Sequence, residues 1–341
     1  MRVLLTGSFG NIGSHTVPAL LDAGHSVRCF DLPSRAHERL FRRLAETASR
    51  TDGSSGRLSV RYGDIRDAET VREAVEGVDA VIHLAAVIPP ATNDDPEAAR
   101  QVNVDGTRNV ISACSAQDSA AQDSATQPKP PRLLFASSLD VFGRTQSLPP
   151  PRCADDPVEA TDPYTEHKIA CEALVRQSGL SWCIFRFADV PIIGLRAPHP
   201  IMFEIGLHNR IESLHADDAA LALARALATE KAWGRLLLVG GGPSCQVTYG
   251  SYLSRLLDAM GIGMLPEDAF SDVEYVTDWL DSREAEELFH YQRHSFDDIV
   301  ADIAACLGVR RFFVPLARPF VRRAITAMSP YRRNVGEKGA R

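Results

Sequence analysis

The chain has 341 residues, of which 45% are hydrophobic and 24% charged, with a formal net charge of −7. That composition belongs to a globular protein and excludes collagen-like, coiled-coil or wholly disordered chains. Acidity and a 7% aromatic content argue against a general nucleic-acid binder, and no apolar run is long enough to cross a membrane or act as a secretory signal. The seven cysteines (Cys29, Cys114, Cys153, Cys171, Cys183, Cys245, Cys306) are widely spaced with no Cys-x-x-Cys, which points to reduced thiols and a cytoplasmic protein.

In chain order, Arg2–Thr6 reads as a first strand and Ile12–Ala23 as a helix. Further strands are expected at Ser26–Asp31, Leu58–Tyr62, Ala80–Leu84, Arg132–Ser137 and Trp182–Arg186, with helical spacing at 68–76, 97–115 and 164–178. Strands alternating with helices predict an α/β fold, a doubly wound (Rossmann) parallel sheet. The Ser/Thr/Gly-rich stretch Thr47–Arg57 reads as a loop, as does 116–131, where Ala-Gln-Asp-Ser-Ala occurs twice in tandem. A helix follows at Ala216–Thr229 and a strand at Arg235–Val239. The expected organisation is a dinucleotide-binding domain of residues 1–187 plus 211–240, a mixed substrate lobe of 188–210 plus 241–308, and a basic tail, 309–341. That tail holds nine basic residues and the single acid Glu337, or +8, which leaves −15 for residues 1–308.

Between the first strand and first helix stands Gly7-Ser8-Phe9-Gly10-Asn11-Ile12-Gly13. Glycines tighten such a turn and admit a pyrophosphate to the backbone, and the helix N-terminus offers amides and a favourable dipole. Asp31, at the end of the second strand, can accept from ribose hydroxyls and would repel a 2′-phosphate, which favours NAD over NADP, although Arg35 is close in sequence. Tyr164 and Lys168 lie four apart at a helix start, so the ammonium can lower the phenol pKa and make a general acid/base. Ser138, in Ser137-Ser138-Leu139-Asp140-Val141-Phe142-Gly143, falls at a strand's carboxyl end, where ligands bind in such sheets.

These residues, with Gly63-Asp64-Ile65, His83-Leu84-Ala85-Ala86, Asn103-Val104-Asp105-Gly106-Thr107 and His215-Ala216-Asp217-Asp218-Ala219, resemble the extended short-chain dehydrogenase/reductase family in its NAD-dependent epimerase/dehydratase branch. The resemblance covers roughly residues 1–308 and implies NAD as cofactor and hydride transfer at a hydroxyl-bearing carbon of a sugar or nucleotide-sugar. It implies Tyr164 as acid/base, Ser138 as the catalytic hydroxyl and Lys168 on the nicotinamide ribose. Asp64 and Ile65 would flank the adenine, Leu84, Ala85 and Ala86 would lie along the cofactor, and Asn103 would support the site. A homodimer through a four-helix contact that includes the Tyr164 helix is implied as well.

Two departures bear on the substrate. Asp189 stands where nucleotide-sugar members carry an Asn that holds the diphosphate, which leaves Arg196, Arg210 and His199 as the cations within reach and keeps a smaller hydroxyl or carbonyl metabolite open. Leu139-Asp140 replaces the adjacent acid pair of the dehydratases, so oxidoreduction or epimerisation is expected rather than dehydration. No metal is expected, although His290 and His294 lie four apart. A dinucleotide-binding sensor without turnover is the reading from another class. In the tail, Pro315 and Pro319 place the start of a basic amphipathic helix near Pro319, for which an anionic membrane, the chain's own acidic body or a partner subunit are the alternatives.

Overall fold

The computed structural model describes residues 1–51, 54–119, 129–195 and 197–332. The chain opens with β1 (Arg2–Thr6), α1 (Asn11–Asp22), β2 (Ser26–Asp31), α2 (Arg35–Thr51), β3 (Leu58–Tyr62), α3 (Ala68–Val75) and β4 (Ala80–His83). Two short helical turns and a π-turn, Gln101–Asp105, lead into α4 (Gly106–Ser119). After β5 (Arg132–Ser138) come α5 (Pro163–Gln177), β6 (Trp182–Phe187), β7 (Arg210–Glu212), α6 (Ala216–Ala228), β8 (Arg235–Val239) and β9 (Gln246–Thr248). The remaining helices are α7 (Tyr249–Ala259), α8 (Arg283–Phe289), α9 (Phe296–Ala305) and α10 (Val314–Thr326).

Seven strands form one parallel sheet in the order β3-β2-β1-β4-β5-β6-β8. Alternate side chains of each central strand enter separate cores. Val3 and Leu5 of β1 pack with Leu20, Leu223 and Phe185 on one side, while Leu4 packs with Val81, Val110, Leu133 and Ile184 on the other. Burial on both faces explains why these strands are continuous apolar runs rather than alternating ones. The strand order reverses between β1 and β4, which opens a crevice at their carboxyl ends.

Several boundaries differ from the sequence expectations. Thr47–Thr51 belongs to α2, because Ala48 continues the buried spacing of Phe41, Leu44 and Ala45 and overrides the Ser/Thr composition. The helix expected to stop at 115 runs to Ser119, and the rest of the tandem repeat lies outside the described residues. β7 pairs antiparallel with β9 in a two-stranded sheet separate from the seven-stranded one. α10 begins at Val314, not near Pro319: Pro315 occupies the first turn, where a missing N–H costs nothing, and the helix continues through Pro319. Residues 333–341 lie outside the described residues.

Candidate active site

The glycine-rich loop is shaped by steric necessity. Gly7 adopts φ +68°, and a Cβ there would sit 2.8 Å from the Ala85 nitrogen; a Cβ on Gly13 would run into the Gly7 carbonyl oxygen. Gly10 caps α1 with no side chain, so the first-turn amides of Asn11, Ile12 and Gly13 have no intrahelical acceptor and face the loop. A cradle that Cβ atoms would fill, at an uncapped helix N-terminus, fits a dinucleotide pyrophosphate. Leu84 and Ala85 follow β4 along the opposite wall, their amides donating to the Thr6 carbonyl (3.3 Å) and the Thr6 hydroxyl (3.2 Å), and Ala86 continues it.

The remaining cofactor residues are placed unevenly. The Phe9 ring turns inward against Phe41 and Tyr62, so what Phe9 offers the crevice is backbone; its N–H donates to Asp31 Oδ2 at 2.9 Å. That bond fixes the Asp31 carboxylate at the carboxyl end of β2, where a ribose would lie. Asn11 donates from its side chain to the Val190 carbonyl at 2.9 Å, tying the loop to the segment after β6. Ile65 is buried against Gly106, and the Asp64 carboxylate is drawn onto Arg66 (2.6 Å), which holds it below the usual carboxylate range. Asn103 lies in the π-turn and pins Val87 through both backbone groups, accepting from its N–H (2.7 Å) and donating to its carbonyl (2.9 Å).

The candidate reacting groups sit on one stripe of α5. Asp162 caps this helix in a reciprocal box with Thr165, and Tyr164, Lys168 and Glu172 follow at intervals of four. Each meets one of three successive residues at the end of β5. Glu172 accepts from the Ser137 hydroxyl (2.6 Å), Lys168 Nζ donates to the Ala136 carbonyl (2.7 Å), and Tyr164 lies beside Ser138. Arg186 on β6 closes on Glu172 with two bonds of 2.8 Å, both side chains being almost fully buried. Behind them, buried His83 bridges the hydroxyls of Thr6 (2.7 Å) and Thr107 (3.0 Å); burial, with Lys168 nearby, lowers its pKa to about 3 and keeps it neutral.

One electrostatic expectation is corrected. The Tyr164 phenol is not depressed: burial first, and the neighbouring Asp140 second, hold it above its ordinary value, while the Ser138 hydrogen bond pulls the other way. Lys168 Nζ stands 5.7 Å from the Tyr164 ring centre and spends a proton on Ala136, and burial lowers its own pKa. Tyr164 is therefore a protonated acid at neutral pH in the bare protein.

The region around Asp140 is acidic. Asp140 is pushed up to about 7, by burial first and then by Asp189, with Asp162 adding to it. Tyr275 feels Asp140, Glu204, Asp162 and Asp189 together, so these carboxylates share one region. Arg210 does not serve there. Its guanidinium is bound to Asp278 (2.6 Å) and to the carbonyls of Gln146, Thr145 and Leu148 (2.9–3.0 Å), because β7 runs against the 145–152 segment. Arg196 lies outside the described residues. His290 and His294 do not pair either: His290 terminates α8 at φ +47°, whereas His294 stacks on His215, 4.0 Å between ring centres. With Asp217, those two imidazoles bring three ligand-type atoms within 4.8 Å, yet His294 hydrogen-bonds to Asp218 (2.7 Å) and His215 Nδ1 accepts the Asp217 N–H (3.1 Å).

Sequence reasoning missed Glu172, Arg186 and the His83–Thr107 link. Glu172 had a signal, the repeat of four from Tyr164; the acidic grouping had none, since Asp140 and Asp162 come from the β5–α5 connection and Asp189 and Glu204 from the β6–β7 connection, which no spacing joins.

The family model described as "NAD dependent epimerase/dehydratase family" matches residues 3–202. The 3 beta-hydroxysteroid dehydrogenase/Delta 5-->4-isomerase of Mycobacterium tuberculosis is 32% identical over 183 residues, 51% of this chain and 42% of that protein. UDP-glucose 4-epimerase 2 of Arabidopsis thaliana is 29% identical over 178 residues, 51% and 46% respectively. The chain thus spans less than half the length of these curated relatives. Among solved structures, the dTDP-glucose 4,6-dehydratase DesIV of Streptomyces venezuelae, with NAD bound, superposes with TM-score 0.71 at 24% identity, over 92% of this chain and 98% of that one. The UDP-glucuronic acid 4-epimerase of Bacillus cereus gives 0.68 at 20%, over 91% and 100%. These last two likenesses show the fold.

Proposed function

The chain belongs to the NAD-dependent epimerase/dehydratase family, and on that premise we propose that it is an NAD-dependent oxidoreductase acting at a hydroxyl-bearing carbon of an uncharged, sugar-like or alicyclic alcohol. The observation that carries the reaction is the α5 stripe: Tyr164, Ser138 and Lys168 converge at the carboxyl end of the sheet beside the glycine cradle. NAD, when bound, supplies the hydride acceptor. Gly7, Gly10 and Gly13 would hold its pyrophosphate, Asp31 its adenosine ribose, and Lys168 its nicotinamide ribose. Tyr164 Oη moves the hydroxyl proton, outward as a base in oxidation and inward as an acid in reduction. Ser138 orients the same oxygen, and the Lys168–Ala136 bond fixes the ammonium where it favours the tyrosinate once the ring is approached.

The acidic region selects against a diphosphate. Asp140, Asp162 and Asp189 repel an anionic substrate, and Arg210 is committed to Asp278. An uncharged alcohol meets no such repulsion, and the likeness to a hydroxysteroid dehydrogenase supports that class. The second reading, a nucleotide-sugar epimerase, draws support from the likeness to a UDP-glucose 4-epimerase.

Absorbance at the NADH wavelength, with a panel of uncharged secondary alcohols and sugar nucleotides, tests the reading. NADH accumulating on an uncharged alcohol is expected, and Tyr164→Phe should abolish it while NAD affinity stays within about twofold. Interconversion of a sugar nucleotide with retained NAD and no net NADH would replace it by the epimerase reading. NAD binding with no turnover on any member would leave a dinucleotide sensor.

A further inference from the structure

α10 is docked on the substrate lobe by one face only. Val314, Val321 and Ile325, spaced by seven and four, pack with Phe203, Leu257, Ile262 and Phe270 of the lobe core. The opposite face carries Leu316 and Phe320, continuing from Val309 and Phe313 in the preceding turn, and these four side chains are 79%, 77%, 75% and 66% exposed for Leu316, Phe320, Val309 and Phe313 respectively. Such large apolar groups stand out in line nowhere else among the described residues. Beside them opens a cleft of about 590 Å³ lined by Arg322, Arg323, Arg332 and Thr326, with Pro266 and Ser329 at its wall. Arg332 pairs with Asp268 at 3.2 Å and Arg322 donates to the Ile262 carbonyl at 3.4 Å; no carboxylate pairs with Arg322 or Arg323 among the described residues.

We infer that this face is a docking surface for an anionic lipid membrane, with the apolar row entering the headgroup boundary and the arginine cleft receiving lipid phosphates. Exposed Phe and Leu beside arginines is the composition of an interfacial helix. The chain's own body is not the occupant, since α10 is already seated on it through Val314, Val321 and Ile325. A second copy apposed through the same face would bring two arginine clusters together, which like-charge repulsion disfavours. Residues 1–308 carry −15, so an anionic bilayer would repel the body and the basic patch sets the orientation in which contact is attractive. Because α10 lies on the lobe core, contact would place the substrate lobe toward the lipid. Each arginine brought to such a surface adds roughly fivefold in affinity.

The full chain should be floated with phosphatidylcholine vesicles and with vesicles containing 30% phosphatidylglycerol, at low and high salt. Wild type should bind the anionic vesicles at least roughly tenfold better, and high salt should erase the difference. The double variant Leu316→Ser/Phe320→Ser should lose that binding by roughly tenfold or more, with NAD affinity and melting temperature unchanged, since both side chains touch solvent. Arg323→Glu should lower binding to anionic vesicles alone. Anionic vesicles left unbound by wild type, or bound equally by the double variant, would overturn the inference. So would a wild-type dimer that light scattering shows dissociating in the double variant without any vesicle binding: the occupant would then be a second copy.

Discussion

Asp140 is the residue whose environment departs furthest from what its neighbours in sequence suggest. A carboxyl raised to about 7 in the folded chain is protonated over a range where the unfolded chain is ionised. The folded state therefore binds more protons between about pH 4 and 7, and stability falls as pH rises through that window. Asp140→Asn removes the penalty: its melting temperature should match wild type near pH 4, pull ahead up to pH 7, and keep a constant lead above. The same substitution takes a negative charge away from Tyr164, which favours the tyrosinate. In the oxidation direction the base limb of the kcat/KM profile should move to lower pH by roughly one unit. A limb that stays in place would remove Asp140 from the electrostatics of the site.

At the scale of an element, α5 is held to the sheet by polar contacts rather than by apolar packing alone. Lys168 and Glu172 meet Ala136 and Ser137, and Tyr164, at the start of the helix, lies by Ser138. Glu172 is the anchor, gripped by buried Arg186 and by Ser137. Glu172→Gln strands a buried guanidinium and should cost about 3–5 kcal/mol in urea unfolding. Because the helix then loses its register, kcat should fall with it. The conservative Ser137→Ala removes a single hydrogen bond and should cost about 1 kcal/mol.

For the whole molecule, the coupling of lobe to sheet passes through Asp278. This buried carboxylate takes Arg210 at 2.6 Å, Arg152 at 3.3 Å and the Thr145 hydroxyl at 2.8 Å, joining β7, the 145–152 segment and the 275–281 strip. Asp278→Asn leaves Arg210 without its counter-ion and Arg152 with Asp156 alone. We expect a lowered melting temperature and a raised KM, with NAD affinity within about twofold, because the groups that Asp278 holds come from β7 and the 145–152 segment and not from the glycine loop. A weakened NAD affinity of the same size as the KM change would mean that the network supports the cofactor crevice too.

Order along the chain was enough for the Rossmann sheet: strands buried on both faces are written as apolar runs, and Gly13 is demanded by a contact inside the first turn, with Gly7, whereas Gly7 is pressed by Ala85 after β4. Gly7, Gly13, Asp31, Tyr164, Lys168 and Ser138 were legible for the same reason, since each lies at a strand end or helix start whose position the pattern fixes. Helix ends were not, because the Ser- and Thr-rich close of α2 reads as a loop until Ala48 finds its core. The sequence by itself determined the fold class, and it named the candidate loop and side chains on which the proposed reaction rests. Only the tertiary structure decided the charge around them. Asp140 and Asp162 come from the β5–α5 connection and Asp189 and Glu204 from the β6–β7 connection, Arg210 is spent on Asp278 across 68 residues, and the apolar face of α10 is exposed because its other face is already buried. Burial and long-range pairing are properties of the folded chain, and spacing along the sequence does not carry them.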